Sequence, residues 1–298
     1  MLWILITLLA VVSQTIRNVF YKKLSGKLSS ETVTLCRFLF GLPVIIVGYL
    51  IGKSLYGGVR ILSLEFFFWV VLFAIAQILA TSLLISLFHH KNFTVSVTYI
   101  KSEAIFVAFL GLAFLSEQIP LMGWLGIIIA FSGLLLASFA KERIGLTSIK
   151  KSFQRKSSYI GLTSGLLFAI TTVAIKRSFV FLETDTVFMK SLFALMFSYP
   201  IEVALLLPII FLKRRDELSE IIRNPKIPFL IGLFSGFGSF FWLSAFSIAY
   251  VAYVTIVGKV EFILSTLISI FYFNEKVYRN EILGMAIMVA GVLLLIFT

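Results

Sequence analysis

Lys259 and Glu261 stand two residues apart in the stretch IVGKVEFILSTLISIFYFNEKV (256–277), eight or more residues inside apolar sequence. The same pair occurs 158 positions earlier as Lys101 and Glu103, in YIKSEAIFVAFLGLAFLSEQI, and Glu117 follows Glu103 by the same fourteen residues that separate Glu275 from Glu261. A charged side chain at the centre of a membrane helix costs on the order of 2.5–3.5 kcal/mol on insertion scales, so four of them need partners or water. Positions i and i+2 lie roughly 200° apart around a helix, so neither lysine can neutralise its own neighbouring glutamate. The partners must come from other helices, either as Lys101 with Glu261 and Lys259 with Glu103 across the bundle, or as polar groups on adjacent spans. Such pairs can act as struts that hold helix register. They can also line a water-filled path, bind a solute, or gate by breaking on one side of the membrane as they form on the other, and this second use is the one favoured here.

Further polar groups at membrane depth are Gln14, Gln77, Ser239, Glu202 and Arg37, with Tyr99, Trp242 and Tyr253 as aromatic neighbours. Gln14 and Gln77 are the better candidates for solute contact, because a buried amide must find partners. Arg37 opens the second apolar run of one half and Lys190 stands near the corresponding point of the other, out of strict register. Glu117 and Glu275 each precede a helix, where a carboxylate stabilises the free N-terminal amides, and are read as structural caps.

Other chemistries find no support. The chain has no glycine-rich phosphate loop, no metal-ligand spacing and no nucleophile with an evident base. The single cysteine, Cys36, excludes an internal disulfide, and histidine occurs only as the adjacent pair His89 and His90. Neither catalysis nor a cofactor or metal is expected.

The elements that must hold these residues are membrane helices. Sixty per cent of the 298 residues are hydrophobic, 13% are charged and the mean hydropathy is +1.05, beyond what a water-soluble core of this size requires. At about 20 apolar residues per crossing, the sequence offers ten runs: 2–20, 31–52, 65–88, 93–116, 120–140, 158–181, 185–212, 227–248, 251–273 and 280–298. The first lacks the basic leader and cleavage site of a signal peptide and reads as a span.

The 158-residue offset also maps Gly126 and Gly133 onto Gly284 and Gly291. The chain therefore reads as two five-helix units, 1–140 and 158–298, joined by a basic linker at 141–157. An odd number of spans per unit puts the units in opposite orientations, an inverted repeat of the kind common in secondary transporters. Gly161, Gly165, Gly232, Gly236 and Gly238 fit close helix packing.

Seventeen of the 26 Lys and Arg residues fall in the odd-numbered connections, four at the even-numbered ones, and five (Arg17, Arg37, Lys101, Lys190, Lys259) inside spans. This is a topology signal and a source of contact with anionic lipid headgroups. Nucleic acid is not an expected partner of the +12 net charge.

Two five-span repeats, the arginine in RFLFGLP, the glutamates in FLSEQIPLMGWLG and YFNEKVYRNEILG, and the G-x6-G that follows each resemble the EamA-like transporters of the drug/metabolite transporter superfamily. The resemblance covers nearly the whole chain and implies an all-α, multi-pass cell-membrane carrier. That family often has a proline midway along spans 4 and 9, where this chain has Lys-x-Glu. Resemblance implies cytoplasmic termini, whereas the charge count places them outside. The expected activity is alternating-access transport of a small polar or zwitterionic metabolite, with a coupling proton or counter-substrate as further partner. An organic-cation or organic-anion exchanger of the same fold, and a channel or integral-membrane enzyme, are the alternatives. Oligomeric state is not legible.

Overall fold

The computed structural model describes residues 1–87, 100–139, 156–184, 186–273 and 278–297, with side chains at all of these except 156–157 and 268–273. Twelve helices are described: α1 (Leu2–Ser25), α2 (Ser30–Tyr56), α3 (Glu65–Leu87), α4 (Glu103–Leu115), α5 (Leu121–Phe139), α6 (Lys156–Ser178), α7 (Val187–Lys213), α8 (Arg215–Arg223), α9 (Lys226–Ile248), α10 (Val251–Gly258), α11 (Glu261–Phe273) and α12 (Arg279–Ile296). Among the described residues eight of them, α1, α2, α3, α5, α6, α7, α9 and α12, are long and apolar enough to cross a membrane, and α4 is a shorter apolar helix.

Of the ten expected spans, two are not described as continuous helices of membrane length. The run 251–273 is interrupted between α10 and α11, where Lys259 and Val260 donate to carbonyls three residues back at 3.0 Å rather than four back. The run 93–116 is described from residue 100, and there Lys101 and Ser102 form a turn before α4 begins at Glu103. In each half the glutamate opens the helix that follows, the sign a helix dipole prefers at its N-terminal end, and Lys259 stands at the C-terminal end of α10, where the dipole prefers a cation.

Glycines set the closest helix contacts. A Cβ on Gly133 would come 2.6 Å from the Gly284 carbonyl oxygen, and one on Gly284 2.6 Å from that of Gly133, so α5 and α12 touch backbone to backbone. Gly41 and Gly232 do the same for α2 and α9, and Gly165 of α6 meets the Ile100 carbonyl. Otherwise α3 packs on α6, α1 on α9 and α2 on α7. Phe66, Phe193 and Phe197 interlock between α3 and α7, with ring centroids 5.0–5.7 Å apart.

The connections sort onto two ends. Arg60–Ile61 pairs with Leu182–Glu183 as a two-residue antiparallel ladder, a small exception to the expected all-helical fold. It joins the α2–α3 and α6–α7 connections, while Glu117 after α4 meets Val251 after α9. At the other end, Ser29 before α2 donates from both its amide and its hydroxyl to Glu217 of α8, at 3.1 and 2.6 Å. Among the described residues, even-numbered connections thus meet even-numbered ones, and the first connection meets the seventh.

Candidate functional site

Where the breaks in the two halves face each other, Lys259 Nζ lies 2.6 Å from Glu103 Oε2, an ion pair whose side chains keep 17% and 18% exposure. The symmetry-related contact is not made. Lys101 Nζ instead donates to Ser138 Oγ at 3.1 Å and sits 3.9 Å from the centre of the Phe262 ring. Glu261 accepts from Gln14 Nε2 at 2.6 Å and from Asn18 Nδ2 at 2.8 Å, so neutral amides of α1 hold it. Gln14 passes the chain on, its Oε1 accepting from Trp242 Nε1 at 3.1 Å. Of the two cross-bundle pairs the sequence suggests, one is closed and one is open.

A second polar cluster lies among α1, α2, α3, α7 and α9. Arg37 donates to Thr81 Oγ1 at 3.0 Å and Ser239 Oγ at 3.3 Å, and the Gln77 amide oxygen, turned toward it, accepts from both Nη atoms at 2.8 and 3.1 Å. Tyr199 donates to Ser239 at 3.1 Å. Arg17 donates to Asn18 Oδ1 at 3.3 Å and stacks over Tyr21 at 5.1 Å. Asn18 therefore links this cluster to Glu261. Glu202 is fully buried on α7, and neither of its oxygens accepts a hydrogen bond.

Glu117 is a cap, but of a different helix from the expected one. Both its oxygens accept from Val251 N, at 3.2 and 3.0 Å, so it caps α10 in the opposite half rather than α5, which follows it in sequence. Ser116 makes this possible by taking a left-handed conformation, φ +55°, that reverses the chain at the end of α4. Lys176 Nζ completes the joint, 2.6 Å from Glu117 and 2.6 Å from the Ala249 carbonyl.

Of the other expected site residues, Gln14, Gln77, Arg37 and Trp242 fall within these two clusters. Tyr253 is buried on α10 with its ring edge-on to Tyr250 at 5.4 Å, away from the charges. Tyr99, Glu275, His89, His90 and most of the 141–157 linker lie outside the described residues; α6 takes in Lys156 and Ser157. Sequence reasoning passed over Asn18, Tyr21, Tyr199 and Lys176 and placed Arg17 in a span without a role. Gln14, Arg17, Asn18 and Tyr21 do carry a signal, since spacings of three and four put them along one face of α1. Lys176 carries none, being a helix-end lysine among others.

Helices of membrane length, interrupted helices bearing charge at the break, and polar clusters enclosed by the bundle define a multi-pass membrane protein of the transporter kind. The model of the EamA-like transporter family matches residues 1–139 and again 156–297, and the chain belongs to that family. Solved structures agree on the fold: 28 chains match, among them a crystal structure described only as that of a protein, with a TM-score of 0.69 at 13% identity, covering 99% of this chain and 97% of that one. No curated protein sequence matches significantly.

Proposed function

We propose that the protein is a secondary carrier that moves a small polar or zwitterionic metabolite across the cell membrane, with two inverted five-helix halves rocking in alternating access. The observation that carries this reading is the asymmetry of two equivalent charge pairs. In an inverted repeat, the two end states are related by exchanging the conformations of the halves. Lys259 with Glu103 is closed, while Lys101 and Glu261 rest on neutral partners. In the opposite state Lys101 closes on Glu261 and Lys259 is released, so each state has one closed pair and the change between them is close to isoenergetic. The way helices exchange between halves supports the same symmetry: α3 packs on α6 as α9 packs on α1, and α5 meets α12.

The solute is first named by a thermal-shift screen of metabolites on purified protein, since a ligand that binds only the folded state raises its stability with occupancy. Counterflow in proteoliposomes then separates the classes. A carrier gives saturable flux accelerated by solute on the far side, a channel gives flux without exchange acceleration, and an enzyme gives product. In a Cys36→Ser background, Glu103→Cys with Lys259→Cys and Lys101→Cys with Glu261→Cys form the two reporting pairs, joined by a short bifunctional thiol cross-linker because a lysine–glutamate ion pair spans more than a disulfide does. Solute is expected to shift the yield from one to the other; equal and simultaneous cross-linking of both defeats the exchange.

A further inference from the structure

We propose that Arg17 and Arg37 form an anion subsite for the carboxylate or phosphate group of the transported solute, an assignment that rests on the carrier reading above. The α1–α2 hairpin turns at residues 26–29. Arg17 stands eight residues before the end of α1 and Arg37 seven after the start of α2, so at 1.5 Å per residue both lie roughly 10–12 Å below the turn. They are 5% and 7% exposed and within electrostatic reach of each other, as Glu261 is of Arg17 and Glu202 of Arg37. Among the described residues neither has a carboxylate within 4.0 Å. Both Nε atoms are buried without an acceptor, and beside them so is the hydroxyl of Tyr21.

Buried like charges in proximity are unfavourable unless an anion joins them. The chain's own carboxylates act on them only from a distance and leave both Nε atoms without a direct partner: Glu261, which exerts its charge on Arg17, is held by Gln14 and Asn18, and Glu202, which exerts its charge on Arg37, makes no hydrogen bond. The lysines are otherwise engaged, Lys259 with Glu103 and Lys176 with Glu117, while Lys101 and Lys190 donate to Ser138 and to the Phe179 carbonyl. A guanidinium with free Nε offers the planar edge that a carboxylate or phosphate oxygen pair matches side-on. The unpaired Glu261, linked to Arg17 through Asn18, is left for a cationic end of the same solute.

The test is the melting temperature of the purified protein at constant ionic strength in chloride, acetate, inorganic phosphate, glycine or methylammonium. Acetate or phosphate is expected to raise it, the stronger of the two naming the group that the site prefers. Arg17→Gln and Arg37→Gln should each weaken that effect at least tenfold in half-saturating concentration, with Arg37→Lys between them and wild type. Glu261→Gln should weaken glycine but not acetate. Arg37→Gln is expected to lower the ligand-free melting temperature, because it also removes the donor to Thr81, Ser239 and Gln77, so each variant's anion response is read as the shift from its own ligand-free value. The subsite is overturned if no anion stabilises the wild type, or if anions stabilise the Arg17→Gln, Arg37→Gln double variant as they do the wild type. Binding is read without transport. Intact anion binding with no flux therefore defeats the carrier reading alone, and saturable flux indifferent to both variants defeats the subsite alone.

Discussion

At the residue scale, the decisive property of Lys259 and Glu103 is that they are paired yet retain some exposure. A fully buried pair loses about 3–5 kcal/mol when one member is removed, an exposed pair well under about 1. Side chains 17% and 18% exposed fall between, so Lys259→Ala is expected to cost about 1–3 kcal/mol, reach the membrane at near-normal levels and lose most flux. The swapped pair Lys259→Glu with Glu103→Lys should recover stability without recovering flux. Aggregated single variants with normal flux per folded molecule would make the pair a strut. Glu117 is of the other kind. It is 5% exposed, caps α10 and neutralises Lys176, so Glu117→Ala should lower stability by about 3 kcal/mol or more, read by thermal unfolding in detergent.

At the scale of elements, two joints are exposed to simple perturbation. The α5–α12 contact leaves no room for a side chain at Gly133 or Gly284, and Gly284→Leu should separate the helices and abolish folded protein on size-exclusion chromatography, whereas Gly26→Ala, with open space around it, should not. The second joint is α8 on the start of α2. Burial alone would push the Glu217 carboxyl up, but hydrogen bonds from Ser29 and Thr32 and the charge of Arg214 hold it below the usual carboxylate range. A group depressed in the folded state contributes stability above its unfolded value, about 4.3, and loses it as pH falls through the lower folded value. The hydrogen-exchange protection factors of α8, corrected for the intrinsic pH dependence of exchange, should therefore fall below about pH 4 and be unchanged between pH 5 and 7. Glu217→Gln should remove that acid dependence.

At the scale of the whole molecule, orientation is a question of which end the odd-numbered connections occupy. Ser29 with Glu217 gathers two of them on one end, and the Arg60–Ile61 ladder gathers even ones on the other. Seventeen of 26 basic residues belong to the odd-numbered connections, and the positive-inside tendency predicts a cytoplasmic position for that end and an external one for both termini. A reporter fused after Thr298 should be active only outside the cytoplasm. Activity inside would mean that several of these basic residues, as on the amphipathic α8, lie along the interface rather than setting the topology.

What the sequence determined by itself is what depends on composition and local spacing. Apolar runs of membrane length can only be helices in lipid, the 158-residue offset exposed the duplication, and Lys-x-Glu marked the two places where charge meets membrane. Arg37, Gln14, Gln77 and Trp242 were legible because polar groups at that depth are rare. Only the tertiary structure decided who meets whom. Equal sequence in the two halves says nothing about which symmetric pair is closed, because both pairings satisfy the same charges, and this structure closes only Lys259 with Glu103. Glu117 reads as the cap of the helix it precedes until the left-handed turn at Ser116 directs it across to α10. The same limit hid Lys176 and the arginine cluster. A helix end shows its own charges, but whether they face water, lipid or a partner is fixed by helices far away in the chain, whose approach is set by glycine contacts and burial rather than by any local pattern.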